Sequence, residues 1–147
     1  MKALIQRVEK ASVEVNGEIV SSINMGLLIL AGFHKDDTET DALYIIKKIL
    51  GLRIFDDSSG IMNLSIEDTG GDVLIVSQFT LYGDVEKGKR PSYSDAMKPD
   101  KAEPFYMEFL EKFESALGKK IGSGIFGADM AVSLINKGPV TILIESP

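Results

Sequence analysis

The sequence has no cysteine and only one histidine, His34, among its 147 residues. Without cysteine there is no thiol nucleophile, thiolate zinc site, iron–sulfur cluster or disulfide bond. A single imidazole supplies neither an HExxH zinc site nor a cluster of histidine ligands. Any catalysis must therefore use carboxylates, hydroxyls, lysines, backbone groups or the substrate itself, and we expect neither a metal nor a cofactor.

Long hydrophobic runs are also missing, because no apolar stretch approaches the length of a membrane span. The start, MKALIQRVEKASVEV, alternates as a strand does and lacks the apolar core of a signal peptide. With 44% hydrophobic and 26% charged residues, the composition is that of a soluble globular protein, and the length suits one domain over residues 1–147. We expect a cytoplasmic protein that has no membrane partner.

Positive charge is in deficit, since 16 basic residues stand against 22 acidic ones and the net charge is −6. This total argues against a protein that coats nucleic acid over its whole surface, and we expect no DNA partner. A local basic face is still compatible with it. Five basic residues fall within fifteen positions: Lys87, Lys89, Arg90, Lys98 and Lys101. The run fits either a solvated loop or such a basic face.

Alternating apolar and polar residues predict a β-rich start. Residues 2–16 alternate, and Asn16-Gly17 supplies the positive φ of a type I′ turn, so we predict a hairpin whose second strand covers residues 18–22. The run LLILAGF that follows is apolar enough for a buried central strand. Two further apolar runs, 131–135 and 140–144, flank the sequence NKGP near the end.

Two segments have helical spacing. Thr38 with Asp41 resembles a capping box before a helix that Gly51 ends. A second helix is predicted to begin between residues 100 and 104, its phenylalanines recur every four residues as in core packing, and it ends at Gly118. Between the helices, DVLIVSQFTLY predicts a strand and the stretch from 83 to 100 a long loop. Strands outnumber helices, so the fold class is α+β.

Polar residues interrupt the most strand-like stretch at its downstream end, in SQFTLY. Ser77, Gln78 and Thr80 could supply hydroxyl, amide and backbone N–H donors to a pocket, as an oxyanion hole requires. The same residues would also occur where a strand simply leaves the core. The pattern leaves both interpretations open.

Two other segments are unusual. Gly138-Pro139 marks a bulge, an edge or a tight turn, and it could present fixed carbonyls to a ligand. Because only about one X–Pro bond in twenty is cis, the pattern alone favours trans. In GSGIFGADM, glycines flank Phe126, which either receives a flat ring such as adenine or belongs to the core. His34 fits a solvent-facing position, and the aspartates near residue 56 fit a turn better than a calcium loop.

Seven segments carry a family resemblance: QRVEKASVEVNGE, LRIF, GIMNLSIEDTGGD, SQFTLY, KGKRPSY, FGADM and NKGPVT. On these motifs the chain resembles the D-aminoacyl-tRNA deacylase family, of the D-Tyr-tRNA deacylase type, over essentially its whole length. SQFTL and GPVT are the most specific of these motifs, because neither pattern is required by secondary structure or by surface charge alone. Two positions depart from the pattern: Lys137 replaces a common acidic residue, and Tyr93 replaces a common Phe.

The resemblance implies an architecture and an assembly. The α+β domain would contain a mixed, mainly antiparallel sheet rolled into a barrel-like layer, with two main helices packed on it. The chain would form a homodimer in which the loop carrying Gly138 and Pro139 reaches into the partner's pocket. The bond between these residues would be cis, and its carbonyls would hold the substrate's α-amino group and exclude L side chains.

The resemblance also implies roles for single residues. The pocket and its oxyanion donors would come from Ser77, Gln78, Phe79 and Thr80. Phe126 and Met130 would border the pocket for the terminal adenosine of the tRNA. Arg7 would help to position the loop of Gly138 and Pro139.

The implied reaction is hydrolysis of the ester between a D-amino acid and the terminal ribose of tRNA, with glycyl-tRNA left open as a second substrate. Water, assisted by the ribose 2′-hydroxyl, would be the nucleophile, and a covalent route through Thr80 is the rival mechanism. Two other classes stay open. The chain could be a tRNA-binding module without catalysis, or a hydrolase of free D-amino acid esters that uses Ser77 or Thr80 as nucleophile.

Overall fold

The structure, a computed structural model, describes residues 1–147. Its strands are β1 (Lys2–Val15), β2 (Glu18–Ile23), β3 (Gly26–Gly32), β4 (Phe55–Asp56), β5 (Met62–Leu64), β6 (Asp72–Ser77), β7 (Gly122–Ser123) and β8 (Ala131–Glu145). Its helices are α1 (Glu39–Leu50), α2 (Ile66–Thr69) and α3 (Pro99–Leu117), and a 3₁₀ turn covers Phe79–Tyr82. No helix is both long and apolar enough to cross a bilayer.

The long strand β1 organises a mixed six-stranded sheet. It pairs antiparallel with β2, β3 and β8, while β3–β6 and β6–β7 are parallel. The predicted hairpin after β1 is confirmed, because Asn16 and Gly17 have φ of 53° and 80°. Since β2 also approaches β6 and β7, the sheet curls into a nearly closed, barrel-like layer. The predicted α+β class, with two main helices on a rolled sheet, is confirmed.

The two faces of the sheet bury two apolar clusters. Because side chains alternate along a strand, Leu27 and Ile29 face α1 and α3, whereas Leu28 faces the inside of the curled sheet. Phe109 and Phe113 of α3 are fully buried on the helix side. Burying each ring contributes about 2 kcal/mol, so the predicted phenylalanine stripe is a core element.

Helix α3 begins at Pro99, one residue before the predicted range, and it continues through Pro104. Pro99 suits the first helical position, since its preset φ is helical and the missing N–H needs no acceptor there. Pro104 removes one backbone hydrogen bond without ending the helix. Burial of Phe109, Phe113 and the hydrogen-bonded Tyr106 offsets that loss.

The strand predicted over residues 72–82 ends at Ser77, so the prediction was wrong for its last part. Ser77 is the last residue of β6 that pairs with β3. Because β3 ends at Gly32, residues after Ser77 have no strand beside them with which to pair. The Gln78 N–H donates to Ala31 O at 2.7 Å, and the chain then turns into the 3₁₀ segment. The polar residues of SQFTLY therefore lie where the strand leaves the sheet.

Candidate active site

A cavity of about 540 Å³ opens at the end of β6; we call it the strand-end cavity. Its walls come from the ends of β3 and β6, the 3₁₀ turn, the loop before α3, the start of α3 and the segment leading into β8. Of the predicted site residues it brings together Ser77, Gln78, Phe79, Phe126 and Met130. Twelve of its 17 lining residues are hydrophobic, so polar groups are few and their positions matter.

Backbone donors are available beside the cavity. The Gln78 N–H is occupied by Ala31 O, so it is not available to a ligand. Phe79 and Thr80 open the 3₁₀ turn, and N–H groups in a first helical turn have no intrahelical acceptor. The oxyanion donors predicted for this segment are thus narrowed to the N–H groups of these two residues.

The hydroxyl groups of the segment have no activating base. Thr80 does not line the cavity, and its Oγ1 accepts a hydrogen bond from Gln78 Nε2. Neither Thr80 nor Ser77 hydrogen-bonds a carboxylate or the imidazole. His34 instead packs on the ring of Tyr82, with centroids 5.4 Å apart, and its Nδ1 accepts from the Asp36 N–H. No three His, Asp or Glu side chains are close enough to form a metal site.

Phe126 is fixed by an aromatic neighbour. Its ring lies 6.0 Å from that of Tyr106, whose hydroxyl donates to Ile75 O at 2.9 Å. Burial raises the pKa of the Tyr106 phenol, which keeps it a neutral donor. A Cβ at Gly124 would lie 2.6 Å from Met130 Sδ, so this glycine permits Met130 to reach the cavity wall. Phe126 lines the cavity and also packs against the core cluster, so it has features of both positions that the sequence left open.

The second wall was not predicted. Tyr93, Met97 and Lys98, from the loop before α3, line the cavity together with Ala102 of the helix. The Tyr93 ring meets the Phe79 ring edge-on at 4.9 Å. The only signal in the sequence was the length of the loop, which is typical of functional segments.

Gly32 is a further residue that the sequence reasoning missed. A Cβ there would lie 2.9 Å from Gln78 O and 3.1 Å from Leu81 Cβ. Gly32→Ala is therefore expected to displace the 3₁₀ turn and to lower kcat/KM about a hundredfold, since a shift of about 1 Å at a site has that effect. Gly51→Ala, with only ordinary contact at 3.5 Å, is the control. Equal activity of both variants in a deacylation assay would contradict this role.

Strand β8 bulges at residues 137–140, which we call the Gly-Pro loop. Gln6 pairs with Thr141 and Val8 with Asn136, so the loop lies opposite Arg7 alone. The Gly138-Pro139 peptide bond is cis, as the resemblance implied and the pattern alone did not.

Arg7 hydrogen-bonds to the Gly-Pro loop. It is 8% exposed, and its Nε donates to Lys137 O at 3.0 Å. Its Nη1 donates to Ile54 O at 2.6 Å and approaches Asp56 Oδ1 at 3.3 Å. On the outer side, Asn136 Oδ1 accepts from the Val140 N–H at 3.1 Å. Arg7 thus anchors the loop to the body of the protein, and the Asn136 side chain closes the loop across its base.

The Gly-Pro loop does not line the strand-end cavity of its own chain. Arg7 pairs with Leu27, and Leu27 pairs with Val73, four residues before Ser77. At 3.3 Å per residue this separates the two levels by about 13 Å along the strands. Within one chain, the structure therefore keeps the predicted site residues in two groups.

An apolar cavity at a strand end, beside backbone N–H groups without an intrahelical acceptor, characterises this α+β protein. Comparison with known proteins gives the particular family. Residues 4–145 match the family model described as D-Tyr-tRNA(Tyr) deacylase, and the chain belongs to that family. The resemblance predicted from the motifs is confirmed.

Named relatives support this assignment, and two solved structures share the fold. Proteins of Thermosipho melanesiensis and Christiangramia forsetii, each named D-aminoacyl-tRNA deacylase, are 56% and 51% identical, over 99% of this chain and 97% of theirs. A structure titled c-Myc DNA Unwinding Element Binding Protein is 44% identical with a TM-score of 0.96, covering 100% of this chain and 99% of its own. A structure titled as a probable eukaryotic D-amino acid tRNA deacylase shares the fold, with 20% identity, a TM-score of 0.85 and 98% coverage of both chains.

Proposed function

We propose that this protein is a D-aminoacyl-tRNA deacylase, which hydrolyses the ester between a D-amino acid and the terminal ribose of tRNA. The observation that carries the proposal is the strand-end cavity beside the free N–H groups of Phe79 and Thr80, in a chain that matches the family from residue 4 to 145. A cavity of about 540 Å³ has the size of an ordinary small-ligand site. It would hold the aminoacylated 3′ end.

Different walls of the cavity would contact different parts of the substrate. Phe126 and Met130 offer apolar surface to the terminal adenine, and stacking on such a ring is worth about 1–3 kcal/mol. The ester carbonyl then lies at the 3₁₀ turn, where the N–H groups of Phe79 and Thr80 donate to its oxygen. Each donor that meets the developing oxyanion is worth about 3 kcal/mol to the transition state.

In the proposed reaction, a water oxygen attacks the ester carbonyl carbon and the carbonyl electrons move onto the oxygen held by the two N–H groups. The bond from the carbonyl carbon to the ribose oxygen breaks, and a proton from the water passes to that oxygen. The ribose 2′-hydroxyl assists this proton transfer. The lack of any carboxylate or imidazole at the hydroxyls of Ser77 and Thr80 supports a route without a protein nucleophile.

Chiral selection is assigned to the Gly-Pro loop of a second copy of the chain. The loop is exposed, lies away from its own cavity and is fixed by Arg7, so it can act as a rigid probe in a partner's cavity. Strand β8 pairs only with β1, so its other edge has free backbone groups, and its side chains Ile135 and Leu143 are 43% and 50% exposed. Both observations support a homodimer along this strand. Carbonyls of Gly138 and Pro139 would bind the α-amino group and leave no space for an L side chain. Glycine has no side chain to reject, so glycyl-tRNA would also be hydrolysed.

Thr80→Ala and Thr80→Val are expected to keep kcat/KM for D-Tyr-tRNA within about tenfold of the wild type. Both remove the hydroxyl, which only accepts from Gln78, and both keep the N–H. Single-turnover hydrolysis measures the effect. A thousandfold loss in both folded variants would instead favour the covalent route through Thr80.

The proposed function is tested by the release of labelled tyrosine from D-Tyr-tRNA, in parallel with D-tyrosine ethyl ester. Fast release from the tRNA and slow release from the small ester support a deacylase that recognises the nucleotide end. Equal rates, with covalent labelling by an acylating probe, would favour a hydrolase of free D-amino acid esters. Tight binding of D-Tyr-tRNA without turnover would favour a binding module.

A further inference from the structure

Ion pairing of the positive charges is uneven along the chain. Seven of the 16 basic side chains pair with an acidic side chain: Lys2, Arg7, Lys35, Lys112, Lys119, Lys120 and Lys137. The five basic residues from Lys87 to Lys101 form no ion pair, although the chain has 22 acidic residues. Seven of the eleven basic side chains outside this run are paired and none of the five within it is, so the run that the sequence left ambiguous has the greatest concentration of free positive charge.

Three of these charges lie at the tip of a closed loop. Asp84 and Ser92 exchange two backbone hydrogen bonds of 2.8 Å each, and Gly88 turns the chain with φ of 98°. We call residues 84–92 the basic hairpin. The side chains at its tip are Lys87, Lys89 and Arg90, all exposed. The Asp84 carboxylate accepts from the Glu86 N–H at 2.8 Å near the base of this loop. The geometry therefore projects cationic side chains into solvent.

The basic hairpin leads directly to the strand-end cavity. Tyr93 follows it and lines the cavity wall, and at about 3.5 Å per residue Arg90 is at most about 10 Å away along the chain. Lys98 is the only charged residue among those that line the cavity. Asp95 pairs with Lys35 at 2.7 Å, and this contact lowers the pKa of the Asp95 carboxyl. Its negative charge is therefore compensated within the protein.

A polynucleotide whose 3′ end enters this cavity meets two environments. The cavity is mainly apolar and suits the uncharged aminoacyl-adenosine, so the phosphates must remain outside its mouth. From the start of the basic hairpin to the cavity, residues 84–98 carry four basic and three acidic side chains, while the remainder of the chain has a net charge of −7. A polyanion is attracted to the first region and repelled by the second.

We propose that Lys87, Lys89 and Arg90 of the basic hairpin, together with Lys98 at the cavity mouth, bind the phosphate backbone of the tRNA acceptor end. Lys98 contacts the phosphate next to the terminal adenosine, and the hairpin contacts phosphates further along the acceptor end. This proposal rests on the proposed function and names the surface by which the same site takes a tRNA rather than a small ester.

The first test compares two double variants that remove the same charge. Lys87→Ala/Lys89→Ala alters the basic hairpin, and Lys47→Ala/Lys48→Ala removes two unpaired lysines from α1. Only the hairpin variant is expected to raise the KM for D-Tyr-tRNA, by about tenfold, with kcat unchanged. The slope of log kcat/KM against log salt should become shallower by about 1.5, since each phosphate contact contributes about 0.7–0.9. D-tyrosyl-adenosine, which has no phosphate, should be hydrolysed by both variants at the wild-type rate.

Lys98 is tested with a single phosphate. The wild type is expected to prefer D-tyrosyl-adenosine 5′-phosphate over D-tyrosyl-adenosine, and Lys98→Ala should abolish the preference. Lys101→Ala, which removes an unpaired charge from α3 outside the cavity lining, should keep it. Lys98→Arg should restore most of the preference, because it retains the positive charge.

Binding of uncharged tRNA, measured by fluorescence anisotropy, keeps this test separate from the catalytic proposal. If the wild type bound tRNA through the basic hairpin but hydrolysed neither D-Tyr-tRNA nor D-tyrosyl-adenosine, the binding surface would be supported and the proposed function would be contradicted. The surface assignment would be overturned if the hairpin and α1 variants bound tRNA equally, or if the hairpin variant lost activity on both esters alike. Equal affinity for a DNA duplex of the same length would overturn the assignment to the tRNA acceptor end.

Discussion

Replacing Gly138 by valine should lower kcat/KM for D-Tyr-tRNA by at least about a thousandfold, because both the position and the rigidity of the Gly-Pro loop would be lost. Gly138 has φ of 123°, a conformation that L residues rarely adopt. A Cβ at this position would lie 2.7 Å from Arg7 Nη2 and 3.0 Å from Val140 Cγ2. The side chain therefore cannot be accommodated without moving the loop or the arginine beneath it.

The matched control for this variant is Gly17→Val. Gly17 also has positive φ, 80°, but a Cβ there would have no neighbour within 4 Å. It measures the cost of strain at a turn far from the proposed site. Circular dichroism and size-exclusion chromatography establish that both variants fold and keep the same assembly. A Gly138→Val protein that hydrolysed D-Tyr-tRNA at the wild-type rate and still rejected L-Tyr-tRNA would contradict the role of the loop.

A mixing experiment tests whether the loop works in the partner's cavity. Gly138→Val has an intact cavity and a defective loop, while Ala128→Trp, with a ring in the cavity wall, has an intact loop and a blocked cavity. If the loop acts between subunits, an equal mixture of the two inactive proteins recovers about a quarter of the wild-type activity, because half of the dimers contain one complete site. A mixture that exchanges subunits and remains inactive would contradict the arrangement.

Arg7→Ala is expected to lower kcat/KM for D-Tyr-tRNA about a hundredfold and the free energy of unfolding by about 3 kcal/mol. The guanidinium supplies donors to Lys137 O and Ile54 O, and its removal leaves these carbonyls unpaired beneath the Gly-Pro loop. Arg7→Lys should be intermediate, because one ammonium cannot reproduce the fork that joins two carbonyls. Urea unfolding and deacylation kinetics measure both effects.

A structural role alone would reduce activity without altering stereochemistry, so the ratio of D-Tyr-tRNA to L-Tyr-tRNA hydrolysis is the decisive readout for Arg7. We expect that ratio to fall in Arg7→Ala, since a displaced loop no longer excludes L side chains. Arg53→Ala is the control. Arg53 is exposed and hydrogen-bonds only to Asn63 of β5, the strand that pairs with β4, whereas Arg7 contacts Asp56 of β4. An unchanged ratio in Arg7→Ala would show that Arg7 does not position the loop.

Local patterns predicted those elements whose residues interact with near neighbours. Asn16-Gly17 predicted the first hairpin, and the apolar run after it predicted the central strand β3. The helical stripe ending at Gly118 predicted α3 and its buried face. In each case the signal and the structure that it specifies lie within a few residues of each other.

Where distant segments meet, the sequence was less informative. The loop before α3 lies on the cavity because Met97 N donates to Phe33 O at 2.9 Å and Lys35 N to Asp95 O at 2.9 Å, contacts over about sixty residues. The prediction that β6 continues through residues 79–82 was wrong for a related reason. The length of β6 depends on where its distant partner β3 ends. Gly138-Pro139 fitted a bulge, an edge or a turn, and the structure has a bulge in an edge strand.

The central claim is that backbone groups and the substrate, without a metal, perform a hydrolysis selective for D-aminoacyl esters. Release of labelled tyrosine from D-Tyr-tRNA and from L-Tyr-tRNA, each with and without a chelator, tests it most directly. We expect fast hydrolysis of the D ester alone, at the same rate in the presence of the chelator. Hydrolysis of both esters at similar rates, or loss of activity with the chelator, would contradict the claim.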